Sequence, residues 1–194
     1  MLTFSSNTPS TVGAADIAGL SIKDFAMFHR GPGSGITVDN IIRARLEHLW
    51  VDCNNQGAVG ITLDNWAFFS VLDQVYIEEY TDTGLQIFGN GFGHSVVDAH
   101  IASSHPDAKY GIHCKTEKPN ILRGQINTNN TSTGLNDRVG IYLENPFSDS
   151  VFYGGYISQV ASESDIGVDL NTGGAGVWKN IEVNALISDM SLAQ

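Results

Sequence analysis

A Gly-apolar-x-apolar element recurs along the chain at spacings of 25, 24, 27, 29 and 27 residues. Its glycines are Gly35, Gly60, Gly84, Gly111, Gly140 and Gly167. Two further elements recur in the same order at a similar period. One pairs Asn or Ser with an aliphatic residue and begins at Asn40, Ser70, Ser95, Asn120, Ser150 and Asn180. The other centres on an aliphatic residue expected to point inward, at Ile22, Val51, Ile77, Ile101, Ile126, Ile157 and Ile187.

This repeat predicts three short strands in every coil of a solenoid. Apolar and polar residues alternate within each element, so one face of every strand points inward. A single coil cannot bury that face, whereas stacked coils pair each strand with its equivalents above and below. The predicted fold class is all-β: a single-stranded right-handed parallel β-helix of about seven coils, with three short strands each.

Two other folds with many short repeating elements fit the pattern less well. An antiparallel β-sandwich gives no reason for three distinct elements to repeat at one period. A leucine-rich repeat would show a denser Leu pattern and helices. We therefore predict an N-terminal arm or linker over 1–15, one β-helix domain over 16–190 and a tail over 191–194.

Composition indicates which classes of binding partner are not expected. The chain has 10 basic and 21 acidic residues, a formal net charge of −11, so nucleic acid and anionic membrane surfaces are not expected partners. No apolar run is long enough for membrane insertion, and the first residues lack a signal-peptide pattern. Cys53 and Cys114 are expected to be free thiols. No spacing of His, Cys and Asp predicts a metal site, and no cofactor is expected.

Three of the repeats resemble coils of the pectate-lyase-like right-handed parallel β-helix superfamily. They are Gly19–Phe25, Gly60–Asn65 and Gly140–Asn145, within a resemblance that covers 17–188. The Gly/Asn/Ser-rich turns are most similar to the phage tailspike and tail-fibre type. That resemblance implies a homotrimer, a sugar ligand and a location on a virion surface or outside the cell. Of the motifs of the polygalacturonase members, only a faint echo of Gly-His-Gly is present, at Gly91–Ser95.

The outward residue before each third-element aliphatic forms a predicted row across the coils. The row is Ser21, Trp50, Tyr76, His100, Gln125, Tyr156 and Leu186. Sugar rings stack on flat aromatic faces, and flanking polar residues such as Arg123 would bind their hydroxyls. The candidate ligand-binding residues are therefore Trp50, Tyr76, His100, Arg123, Gln125 and Tyr156. An exposed apolar stripe is equally typical of a subunit interface, and we weigh the two interpretations evenly.

Carboxylates beside this row are the candidate catalytic residues. Asp52 and Glu78 are expected on adjacent coils, at a separation of roughly 5–9 Å that suits a glycosidase pair. Asp98 is the third candidate, on the other side of the row. Outward acidic residues on an acidic protein are more often merely solvated, and we favour that interpretation for Asp52 and Glu78.

These features lead to two functional hypotheses. The first is a polysaccharide-binding β-helix of a phage-type spike or fibre, with or without hydrolase or lyase activity. Its partners would be a polysaccharide or surface glycan and further copies of the chain, a homotrimer being favoured. The alternative is a purely structural stalk or self-assembling fibre module, since unpaired strand edges at the ends of a β-helix invite stacking.

Overall fold

The chain forms two parallel β-sheets of seven strands each, in a computed structural model. The structure describes residues 1–5, 19–65, 69–88, 96–115, 121–127, 139–144, 151–158, 166–171 and 182–188. The first sheet contains β1 (Leu2–Ser5), β3 (Ser34–Asp39), β5 (Val59–Asp64), β7 (Thr83–Phe88), β9 (Tyr110–Cys114), β11 (Val139–Glu144) and β13 (Ile166–Asn171). The second contains β2 (Ser21–Phe28), β4 (Arg45–Asp52), β6 (Val71–Glu78), β8 (Val96–Ala102), β10 (Ile121–Asn127), β12 (Val151–Ser158) and β14 (Glu182–Ser188).

Successive strands alternate between the two sheets, and each strand pairs in parallel with the strand two places along the chain. The apolar side chains of both sheets meet in one core between them. This arrangement is a parallel β-solenoid, which confirms the all-β, stacked-coil prediction. The right hand and the number of about seven coils stay predictions, because several connections between strands lie outside the described residues.

The aliphatic residue after each repeat glycine lies in one interior column of the first sheet. Register pairs these residues from strand to strand, and those with described side chains are at most 1% exposed. The column runs through Ile36, Ile61, Leu85, Ile112, Ile141 and Val168. The predicted stacking of the first element is therefore confirmed.

The glycine that opens these strands is required by close packing. A Cβ on Gly84 would lie 2.4 Å from Ile101 Cγ2 and 2.8 Å from the carbonyl oxygen of Gly111. Gly60 is equally crowded, by Ile77 and the carbonyl oxygen of Gly84. Because the backbone passes this close to the opposite sheet and the next coil, no side chain fits at the position.

The second and third elements do not form separate sheets, which corrects the prediction of three strands per coil. In β6, Val71 and Ile77 were assigned to different elements but lie on one strand. In β2, β4 and β6 this strand also bends. In β4, Leu46 and Leu49 both point inward, with Glu47 and His48 between them on the outer side. Two inward aliphatics three residues apart resemble the ends of two strands in the sequence.

A left-handed backbone conformation produces this bend. Asp24, His48 and Gln74 occupy the same place in β2, β4 and β6, with φ values of 53°, 51° and 51°. Such a residue adds one position to the strand, and the register shifts where β6 meets the shorter β8. The insertion of one residue is a β-bulge, which turns the strand and increases its twist.

At the N-terminal end the structure adds one strand and corrects the predicted position of one repeat element. Leu2–Ser5, within the predicted arm, forms β1 and pairs with β3. Ile22 was predicted to be equivalent to Val51, but register pairs Ile22 with Leu46 and Met27 with Val51. The third element of the first coil is therefore centred on Met27.

Candidate functional site

The predicted aromatic row is aligned by the register of the second sheet. Trp50 pairs with Tyr76, Tyr76 with His100, His100 with Gln125 and Gln125 with Tyr156. Parallel pairing without a shift over this part of each strand keeps equivalent side chains on one face. The five positions thus form one column along the solenoid, as the third element predicted.

The first member of the row is not Ser21. Register places Ala26 beside Trp50, since β2 is shifted by the same five residues that separate Ile22 from Met27. The end of the column is therefore a methyl group beside the indole.

Aromatic side chains are strongly exposed at this end of the column. Trp50 is 45% exposed, Tyr76 is 50% exposed and Phe28 is 66% exposed. The rings of Phe28 and Trp50 lie 6.3 Å apart at 55°, and those of Tyr76 and His100 lie 5.6 Å apart at 36°. Soluble chains rarely leave several large rings together in water, so this patch indicates a binding surface.

Trp50 and Tyr76 border an open groove of about 420 Å³ on the outer face of β2, β4 and β6. The residues that line it come from three adjacent strands and include both apolar and polar side chains. They are Asp24, Phe25, Ala26, His48, Leu49, Trp50, Gln74 and Tyr76. The predicted candidates Trp50 and Tyr76 therefore lie in one site, and the structure adds the residues of the bend.

The bend in the strands accounts for the concave shape. Asp24, His48 and Gln74 are the left-handed residues of their strands, and all three line the groove. At each bend the outer surface of the strand folds toward itself, because two successive residues remain on the outer side. The groove therefore follows from one extra residue in each of three neighbouring strands.

Hydrogen bonds fix several polar groups around the groove. His48 Nδ1 lies 3.1 Å from Asp24 Oδ1, which joins the bends of β2 and β4. Trp50 Nε1 donates to Glu78 Oε2 at 3.0 Å, across to the next coil. This second bond orients the indole plane, so the larger ring of the site is held in place before any ligand arrives.

The three candidate catalytic carboxylates flank the column on both sides. Asp52 and Glu78 are register partners on adjacent strands, as predicted, and Asp98 lies on β8 on the opposite side of the column. Asp52 accepts a hydrogen bond from the backbone N–H of Asn54 at 2.7 Å. Each carboxylate of the Asp52–Glu78 pair thus already has a structural partner, which the sequence did not reveal.

The remaining candidates lie farther along the solenoid. The His100 ring packs against Tyr76 at a tilt of 36°, and the Gln125 amide donates to Asn127 at 3.2 Å. Arg123 pairs with Asp98 in register, and Tyr156 pairs with Gln125. The side chains of Arg123 and Tyr156 lie outside the described residues. The groove itself contains only Trp50 and Tyr76 of the six predicted binding residues.

Asp24 and Phe25 are the groove residues that the sequence did not predict as part of a site. The repeat gives no indication that Asp24 adopts positive φ, since Asp occurs at many ordinary strand and turn positions. A signal was nevertheless present. In β4 and β6 two polar residues lie side by side between inward aliphatics, as Glu47–His48 shows, whereas strict alternation allows only one.

A second aromatic cluster lies on the outer face of the first sheet. His113 contacts Phe88, Tyr110 and Tyr142 at centroid distances of 4.7–4.9 Å. Tyr110 and Tyr142 stack on each other at 4.8 Å. Register pairs His113 with Tyr142 on adjacent strands.

Glu144 contacts two other polar side chains of this cluster. It lies 2.8 Å from His113 Nε2 and accepts a hydrogen bond from Lys115 at 3.0 Å. Burial lowers the pKa of His113 although the bond to Glu144 acts in the opposite direction. Burial would raise the pKa of Glu144, but the bonds from His113 and Lys115 together lower it. His113, Lys115 and Glu144 are thus hydrogen-bonded to one another within the chain.

The two cysteines are buried thiols rather than candidate nucleophiles. Cys53 and Cys114 are free and buried, as predicted. Burial, with a smaller effect of the Asp52 carboxylate, raises the pKa of the Cys53 thiol to about 12, so a thiolate is disfavoured. Within the described ranges, no three His, Cys, Asp or Glu side chains are grouped as metal ligands would be. Nor does this part of the chain contain a helix long and apolar enough to cross a membrane.

Comparison with known proteins gives the chain no family. No protein-family model, no curated protein and no solved structure matches it. The structure shows the architecture, which is a parallel β-solenoid with an aromatic groove on the outer face of its second sheet.

Proposed function

We propose that the second sheet is a polysaccharide-binding face, and that the groove around Trp50 and Tyr76 is its binding site. The observation that carries the proposal is the groove itself, in which two half-exposed aromatic rings lie beside His48, Gln74 and Asp24. The wider proposal is a spike or fibre of the phage type within the pectate-lyase-like superfamily. It includes a homotrimer on a virion surface or outside the cell.

The chemistry of the groove suits a sugar better than a fully apolar ligand. A pyranose has C–H faces that stack on aromatic rings and hydroxyls around its edge that need hydrogen-bond partners. Trp50 supplies a flat face that its bond to Glu78 keeps oriented. His48 and Gln74 supply donors and acceptors on the groove floor. Stacking and polar recognition are therefore available within one site.

We predict that Trp50→Ala and Tyr76→Ala each weaken glycan binding about 2- to 12-fold, since an aromatic contact contributes roughly 0.5–1.5 kcal/mol beyond area burial. Binding would be measured on a glycan array and then by titration calorimetry with the glycan bound most tightly. Phe69→Ala is the matched control, because Phe69 is 47% exposed but does not line the groove.

Assembly state must be followed in the same variants, by sedimentation. Weaker binding with unchanged assembly supports the glycan site. If both aromatic variants bind like the parent chain and assemble like it, the groove has no role in recognition. If assembly is lost while glycan binding was never present, the exposed rings are a subunit contact.

That last outcome corresponds to the second candidate function, a structural stalk or fibre module. The observation in its favour is the size of the exposed apolar patch, which joins Phe25 and Phe28 to the two rings of the groove. A contact between copies would bury all four side chains at once. The polar groove floor would then be covered without partners of matching chemistry, which is why we place this function second.

Catalysis is a separate question that Glu78 can test. We predict that Glu78→Gln retains glycan binding within about twofold, because the amide oxygen still accepts the bond from Trp50. If the chain cleaves its glycan with Glu78 as acid or base, the same variant loses most of the cleavage rate. A reducing-end assay on the bound glycan measures that rate. Loss of binding in this variant would instead show that the carboxylate contacts the ligand directly.

A further inference from the structure

We infer that the groove selects glycans without acidic groups, and that Asp24, His48 and Gln74 are the residues that determine this selection. The inference rests on the proposed function, and it names the class of ligand for the same site. It starts from the charges of the three strands that form the groove.

These strands are predominantly acidic. β2, β4 and β6 contain two basic residues, Lys23 and Arg45. They contain five acidic residues: Asp24, Glu47, Asp52, Asp73 and Glu78. Arg45 is already paired with Glu47 at 3.2 Å, and Lys23 lies beside Glu47 in register. The few cations of this surface are thus next to carboxylates of the chain.

The lining of the groove contains no counterion for an acidic sugar. None of the described residues that line it is Lys or Arg, and Asp24 places a carboxylate at its edge. The carboxylate of Glu78 accepts a hydrogen bond from the Trp50 indole and so lies next to a lining residue of the groove. A uronate or sulfate that entered the groove would lie near two charges of the same sign. It would also lose hydration water without gaining a positively charged partner. An uncharged sugar meets only acceptors and donors that suit hydroxyl groups.

The polar residues of the floor are arranged in register. Asp24, His48 and Gln74 succeed one another on adjacent strands, each in the left-handed conformation that costs a non-glycine residue energy. Glycine would adopt this backbone conformation at a lower energy at all three positions. Three polar side chains are nonetheless present there, and all three line the groove. The same backbone feature that shapes the groove therefore presents the groups that would recognise hydroxyls.

The site also has a defined length. β8 has seven residues and lacks the inserted position, so the column of left-handed residues stops at β6. β2 and β6 are separated by two strand spacings, about 10 Å. The groove therefore accommodates a short stretch of a glycan chain, and selection is decided by the few sugar units within it.

The test uses matched pairs of linear glycans: β-1,4-glucan, β-1,4-mannan and α-1,4-galactan oligosaccharides, each beside its form oxidised to the uronate at C6. Affinity is measured by calorimetry in low salt and in 0.5 M salt. We expect the neutral member of the pair that binds to be favoured at least about tenfold in low salt. The difference should narrow in high salt, because screening weakens repulsion between exposed charges.

Variants of the column isolate its part in the selection. Asp24→Asn keeps an acceptor for His48 and tolerates positive φ, so uronate binding should improve about threefold or more relative to binding of the neutral partner. His48→Gly and Gln74→Gly remove the polar groups but relieve the backbone strain. They should weaken neutral binding about 2- to 12-fold without lowering Tm.

The possible failures can be told apart. If the uronate binds as well as or better than its neutral partner, and Trp50→Ala weakens the binding of both, the selection is wrong while the glycan site stands. If the glycine variants lower Tm and leave binding unchanged, the column is structural only and the inference is overturned. If no probe binds, or Trp50→Ala has no effect on binding, the proposed function fails and the inference fails with it.

Discussion

Replacing Ile112 by Asp is expected to prevent the chain from folding. Ile112 is 1% exposed and lies in the interior column between Leu85 and Ile141. Removing the aliphatic side chain forfeits about 1.5–3 kcal/mol of burial. An unpaired carboxylate in the same place costs several kcal/mol more, because the core offers it neither a counterion nor a hydrogen-bond donor. The sum is comparable to the whole stability of a typical domain, about 5–15 kcal/mol.

Circular dichroism and urea unfolding would measure the effect. Ile112→Val is the first control and should cost only about 0.5–1.5 kcal/mol, since it removes one methylene. Gln74→Asp is the second, because it adds the same charge at an exposed left-handed position that Asp tolerates. A folded Ile112→Asp variant with near-parental stability would mean that this column is not a dry core.

The interior column was predictable because its information is local and repeated. Each Gly-apolar-x-apolar element marks the start of a strand and the phase of its alternation, and parallel stacking then brings equal phases together. Ile36, Ile61 and Leu85 follow from that rule alone. The turns of different length between the repeats did not disturb it, since insertions there leave the register of the strands unchanged.

The number of sheets was not predictable by the same rule. A bend inside a strand and a corner between two strands both interrupt alternation, and sequence patterning does not distinguish them. Leu46 and Leu49 are three residues apart on one continuous strand because His48 has a φ of 51°. Whether such a residue adopts positive φ depends on its neighbours in the stack, which the local sequence does not specify.

The candidate site, too, was predictable only in the part that depends on strand phase. The alignment of Trp50 with Tyr76 follows from the phase of the third element and was predicted. The groove beside them depends on the bends, so Asp24 was missed as a site residue. The row begins at Ala26 rather than at Ser21, because register pairs Met27, and not Ile22, with Val51. The hydrogen bond between Trp50 and Glu78 joins different coils and had no counterpart in the linear pattern.

Gly84→Ala tests whether close approach, rather than turn geometry, explains the repeat glycines. Gly84 does not have positive φ, so Ala is acceptable to its backbone. The added methyl would lie 2.4 Å from Ile101 Cγ2 and 2.8 Å from the carbonyl oxygen of Gly111. Backbone of the next coil must move to make room, and overpacking of this kind costs about 1–3 kcal/mol.

The matched control is Gly33→Ala, where the nearest atom to the added methyl is Met1 Sδ at 3.5 Å, an ordinary contact. That variant should stay within about 0.5 kcal/mol of the parent in urea unfolding. Equal stability of the two variants would leave the glycine period without its packing explanation. A loss of stability in Gly84→Ala alone would show that the glycine period of the sequence follows from the close spacing between coils. Each repeat then begins with glycine because the sheet opposite and the coil above leave space for a hydrogen atom only.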